Sequence, residues 1–126
     1  MDAFLVTVTD ETPEVVLNPA ENIFLLKGKA LPEDANAFFS PIIDWFSAYI
    51  KETSGKMVFD FELNYFNTAS SKYILDIFLL FDEYTDKDIT VNWIYNEDDE
   101  DMEEAGEEYA DMLSSVKLEL KPQAQA

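Results

Sequence analysis

The 126-residue chain contains no cysteine, no histidine and no arginine, and each absence removes a class of chemistry. Without cysteine there are no disulfides, thiolate metal sites or thiol nucleophiles, and nothing ties the chain to an oxidising compartment, so a cytoplasmic location is expected. Without histidine there is no ready proton shuttle near neutral pH, which removes most nucleophilic triads. The eight positive charges are all lysine, so no planar fork exists to grip a phosphate or carboxylate at two points. Set against 27 acidic residues they leave a net charge of −19 at pH 7, which nucleic acid backbones and anionic membrane surfaces would both repel. A folded protein with a basic patch is the expected partner. Long apolar runs are also missing: none approaches the ~18 residues a membrane span needs, and "MDAFLVTVTDE" has no basic segment ahead of its short apolar run, so the chain reads as soluble and unprocessed.

Aromatic residues are abundant. Two tryptophans, six tyrosines and ten phenylalanines within a 48% hydrophobic composition argue for a packed interior despite the charge. A chain of this length suits one domain that buries roughly two-thirds of its unfolded surface. Residues 1–121 are expected to form it, with 122–126 as a flexible tail.

Short extended segments are expected at 3–8 and 12–18, divided by the turn residues of "TDETP", and a third strand at 22–29. Pro32 then suits the first turn of a helix, and Pro41, which cannot donate an amide, predicts a break near Ser40, with Ser40 capping a second helix from Pro41 to about Thr53. From Met57 the period changes to two: Met57, Phe59, Phe61, Leu63 and Tyr65 alternate with Val58, Asp60, Glu62 and Asn64, and Ile89, Val91, Trp93 and Tyr95 later alternate against Thr90, Asn92 and Asn96. Between these strands Ile74, Ile77, Phe78 and Phe81 mark a core helix. A last helix over 98–114, with Met102, Ala105, Tyr109 and Met112 inward, leads to a closing strand around Val116, Leu118 and Leu120. The order predicts an α/β fold with right-handed crossovers, one sheet face under helices and the other largely exposed.

Glu97 to Asp111 holds ten carboxylates in fifteen residues. The run lacks the glycine an EF-hand requires at its sixth position, and its apolar stripe marks it as the solvated face of a helix, so no metal is assigned. Nor do Ser71 and Lys72, which are adjacent, or Thr68 and Lys72, which are four apart, match the Ser-x-x-Lys spacing of acyl enzymes. Catalysis has little to work with, and neither cofactor nor enzymatic role is expected.

The remaining candidate is "NTASSK", residues 67–72, at a strand-to-helix junction. Asn67 or Thr68 can cap the helix. The same geometry offers a phosphoryl group free amides and a favourable dipole, with Lys72 one turn on.

Four stretches, "TPEV" (12–15), "LPEDANAFFSPIIDW" (31–45), "YFNTASSKYILDI" (65–77) and "NWIYNEDDEDMEEAGEE" (92–108), together resemble the SiaC-type family of regulatory phosphoproteins over about residues 3–120. The resemblance implies a STAS-like single domain, a mixed β-sheet with helices packed mainly on one face. It further implies that Thr68 is phosphorylated by a dedicated Ser/Thr kinase and restored by a PP2C-type phosphatase, and that the unmodified form activates a diguanylate cyclase, promoting biofilm growth. Asn67, Thr68, Ser70, Ser71 and Lys72 would then form the partner-binding site. Ala69 departs from the serine common at that place and leaves Thr68 intact. Two other functions fit the composition: a constitutive acidic adaptor or nucleic-acid mimic acting through residues 97–111, which would bind with steep salt dependence, and a metal-dependent hydrolase on the same carboxylates.

Overall fold

A seven-residue loop (7–13) and a tight turn (19–22) fold the N-terminal segment into an antiparallel meander, β1 (Phe4–Val6), β2 (Glu14–Asn18) and β3 (Ile23–Ala30). The tight turn is closed by the Asn22 amide on the Pro19 carbonyl, with Asn22 at φ 56°, a conformation asparagine tolerates better than most residues. The structure, a computed structural model, describes residues 1–124. From β3 onward the strands are parallel: β4 (Lys56–Phe66), β5 (Asp88–Asn96) and β6 (Lys117–Gln123), joined by α1 (Ala35–Glu52), α2 (Thr68–Glu83) and α3 (Glu100–Asp111).

Spatial order equals chain order, β1-β2-β3-β4-β5-β6, so successive right-handed crossovers carry all three helices to one face. That face holds the core. Met57, Phe59, Phe61 and Leu63 are buried while Lys56 and Val58 on the other face are exposed, and the aromatic rings of Phe46, Phe59, Phe61, Phe78 and Phe81 interlock beneath α1 and α2. The mixed α/β sheet with helices on one side is as the sequence predicts.

Four local expectations give way. The first is the helix break, because α1 runs through Pro41 without interruption, capped by Asp34, whose carboxylate accepts from the Ala37 amide at 3.1 Å. Pro41 and Ala37 both lie on the exposed side, where the carbonyl left without a donor can face water. On the opposite side Phe39, Ile42, Trp45, Phe46 and Ile50 bind both halves to one core. Ser40 is therefore mid-helix, and Pro32 precedes the cap.

The second is Tyr65. Register shifts between Gly28 and Lys29, which pair with Leu63 and Tyr65, leaving Asn64 as an extra residue in β4. A one-residue insertion exchanges the faces that follow it. Tyr65 is consequently 55% exposed, and Phe66 turns inward against Trp93 and Tyr109.

The third is Met112, which caps α3 beyond its last helical residue, outside the inward stripe, and is 54% exposed. The fourth is the tail. Lys121, Pro122 and Gln123 pair with Ile94, Tyr95 and Asn96, so the strand includes two residues expected to be loose. Pro122 is tolerated because β6 is an edge strand. Gln125 and Ala126, also assigned to that tail, lie outside the described residues.

Asp82, near the end of α2, fastens the connection between α3 and β6. Its carboxylate accepts from the amides of Ser115 (2.6 Å), Val116 (3.0 Å) and Ser114 (3.0 and 3.1 Å). Partial desolvation pushes its pKa up, but these backbone bonds outweigh it and hold the group below its ordinary value of 3.8. A carboxyl lowered in the folded state stabilises above its unfolded pKa and loses that contribution as pH falls through the folded one. Asp82→Ala should cost about 1–3 kcal/mol at neutral pH. In paired thermal melts its deficit relative to the parent should shrink as pH is lowered below 3.8.

Candidate functional site

The strand-to-helix junction between β4 and α2 is held by one residue. Asn67 is extended (φ −82°, ψ 173°), and its side-chain oxygen accepts from the Ser70 amide at 2.9 Å. Its own amide donates to the Ala30 carbonyl at 3.2 Å, tying the cap to the end of β3. Of the two caps the sequence offers, Asn67 is the one used, and Thr68 becomes the first helical residue.

That placement presents Thr68 to solvent. Thr68 and Ala69 are exposed, and their amides precede that of Ser71, which is the first to donate within the helix, to the Asn67 carbonyl. The positive end of a 16-residue helix is therefore directed at the threonine hydroxyl's surroundings. Lys72, four residues on and on the same face, is exposed and belongs to neither of the chain's ion pairs, Lys27–Glu62 and Lys121–Glu119, among the described residues.

The two serines that look alike in sequence have different surroundings. The Ser71 hydroxyl donates to the Thr68 carbonyl at 2.7 Å, bracing the first turn. Ser70 is fully buried, and its hydroxyl has no hydrogen-bond partner among the described residues. Ser70 therefore cannot touch a partner on this surface, and the expected contact set reduces to Asn67, Thr68, Ser71 and Lys72.

The periodicity places Tyr109 on the inward stripe of the last helix but does not show its link to the candidate site. Its phenol donates to the Ser71 carbonyl at 3.0 Å, joining α3 to the first turn of α2. Burial, with a smaller effect from the Glu108 charge, pushes the phenol well above its ordinary pKa of 10.0, so it remains a neutral donor. The acidic helix is thus anchored beside the candidate site. Asp99 caps it through the Met102 amide at 3.1 Å, and Glu100, Asp101 and Glu103 occupy its first turn, where the dipole favours them. Among the described residues no group of three or more carboxylates converges so as to hold a metal ion.

Asn67→Ala removes the cap and should lower stability by about 1 kcal/mol. Hydrogen exchange at the Ser70 amide should rise more than at the Ile77 amide in the helix centre, which separates loss of the cap from global loosening.

The family model described as "SiaC family regulatory phosphoprotein" matches residues 6–123. An uncharacterized protein of Pseudomonas aeruginosa strain UCBPP-PA14 is 26% identical over 108 residues, covering 84% of this chain and 86% of its own. The crystal structure of apo-SiaC from Pseudomonas aeruginosa superposes with a TM-score of 0.87 at 23% identity, covering 96% of this chain and 99% of that one. SiaC bound to the diguanylate cyclase SiaD, of which it is the activator, superposes with a TM-score of 0.88 at 23% identity, covering 95% and 99%. These superpositions establish a shared fold.

Proposed function

The chain belongs to the SiaC family of regulatory phosphoproteins, and from that premise we propose that it is a non-enzymatic, protein-binding switch controlled at Thr68. The unmodified chain binds and activates a diguanylate cyclase. A Ser/Thr kinase transfers the γ-phosphoryl group of ATP to the Thr68 hydroxyl oxygen, whose proton passes to the kinase's base. A PP2C-type phosphatase hydrolyses the ester and restores the hydroxyl. Support comes from the solved complex in which a protein of the same fold is the activator of a cyclase.

The observation that carries the reading is the position of Thr68, an exposed hydroxyl on the first residue of a long helix whose cap is fixed by three bonds of Asn67, two from its backbone and one from its side chain. A phosphoryl group there adds about 1.5 to 2 negative charges beside unsatisfied amides, so the fold survives. A partner surface packed over the helix start is affected far more, because burying an unmatched dianion costs several kcal/mol and each 1.4 kcal/mol is about tenfold in affinity.

The reading is tested with the cyclase encoded in the same genome. Cyclic di-GMP formation is measured with the unmodified chain and with chain phosphorylated at a site mapped by peptide mass. Activation by the unmodified form alone is expected; equal activation by both contradicts the switch. A constitutive adaptor acting through residues 97–111 would bind with steep salt dependence and ignore Thr68, so the assay repeated at two ionic strengths separates the two.

A further inference from the structure

Two hollows of about 320 and 310 Å³ share Phe66 and Ala105 and so join into one trough between the start of α2 and the length of α3. Its lining is largely apolar. Tyr65 and Met112, each more than half exposed, stand in different halves of it, and Leu75 of α2 faces Ala105 of α3 across it. The two sides differ in charge. The α3 side contributes Asp101 and Glu108 from a helix that carries no cation, whereas the α2 side contributes Lys72, which has no carboxylate partner among the described residues.

We propose that this trough receives a helical segment of the protein partner, with an apolar stripe in the trough, Lys or Arg along the side facing α3, and a carboxylate at the end facing Lys72. The inference rests on the reading of the chain as a protein-binding switch and specifies the partner's chemistry. The 12 residues of α3 make a wall about 18 Å long, the length of roughly three helical turns. Apolar anchors at i, i+3 or i+4 and i+7 would meet Tyr65, Phe66, Leu75 and Met112 along it. A second copy of this chain is a poor occupant, because its net charge of −19 supplies little to satisfy α3. The exposed sheet face lacks this division of charge, since its lysines, Lys27, Lys56, Lys117 and Lys121, are interspersed with Glu62, Asp88 and Glu119.

The arrangement explains how a negative charge can release a segment that is mostly basic. Thr68 and Lys72 are four residues apart on α2, so a phosphate on Thr68 takes up the Lys72 charge and stands against the segment's carboxylate. The contacts to α3 are unchanged, and the loss is local to the α2 end.

The test uses two synthetic peptides of about 14 residues with one composition of leucine, lysine and a single glutamate, one arranged as an amphipathic helix and the other with its stripe scrambled. The ordered peptide should bind at least about tenfold more tightly, a difference of about 1.4 kcal/mol, and should shift NMR signals of Leu75, Ala105 and Met112. Met112→Glu and Tyr65→Glu, at positions exposed enough to leave the fold intact, should each remove that preference. Equal affinity of the two peptides, or shifts confined to the open sheet face, overturns the proposal. Titration with the cyclase separates this inference from the reading beneath it. If Met112→Glu binds like the parent while phosphorylation still releases the cyclase, the trough assignment fails and the switch stands. If Met112→Glu weakens binding while phosphorylation has no effect, the trough stands and the switch fails.

Discussion

Gly106→Ala lowers the melting temperature by about 5–10 °C, although the same exchange in an exposed helix interior ordinarily stabilises by about 1 kcal/mol. A Cβ at this position would stand 2.5 Å from Trp93 Cδ1 and 2.8 Å from Nε1. Trp93 has no room to retreat, being 1% exposed, with its Nε1 donating to the Met102 carbonyl at 2.8 Å. The rings of Phe66, Phe78 and Tyr109 close around it. The helix must lift instead, which strains the Tyr109 bond to the Ser71 carbonyl. Overpacking of this kind costs about 1–3 kcal/mol beyond the lost propensity gain. Thermal denaturation measures it, and Trp93→Phe in the Gly106→Ala background should recover part of the loss, because the smaller ring vacates the contested space. An unchanged or raised melting temperature would show that α3 is not seated on Trp93.

The larger functional effect is expected at Thr68. Full phosphorylation should weaken cyclase binding by at least about 100-fold, about 2.8 kcal/mol, while Thr68→Asp, with one charge and a shorter reach, should weaken it by about tenfold. Thr68→Val keeps the shape and removes the acceptor oxygen, so it should bind as the parent does and resist kinase treatment. Stability should move little across the series, because a charge at an exposed helix start contributes only about 0.3–1 kcal/mol. Calorimetric titration with melting curves on the same samples distinguishes a change of affinity from a change of folding. If Thr68→Val binds as weakly as Thr68→Asp, the hydroxyl is a direct contact and its charge state is not what the partner reads.

Much of this was legible in the sequence where one periodicity dominates. The alternation in β4 and β5 and the stripe through Ile74, Ile77, Phe78 and Phe81 specify the sheet and its central helix, because each pattern has a single face to bury. Asn67 and Thr68 were marked by their place between two such patterns. What was not legible depends on contacts remote in sequence. Pro41 breaks helices in isolation, but the buried side of α1 keeps both halves on one core. Tyr65 continues the alternation of β4, yet an irregularity opposite Gly28 in another strand turns it outward. Ser70 and Ser71 differ only through what α2 packs against. The trough arises from residues of β4, α2 and α3 that no local pattern relates.

The charge at the Thr68 oxygen decides whether the proposed partner stays bound. A side-by-side titration of one cyclase preparation with the unmodified chain and with chain quantitatively phosphorylated at Thr68, at a single ionic strength, tests that most directly. Tight binding of the first and at least about 100-fold weaker binding of the second is the predicted result; equal affinities for the two would contradict it.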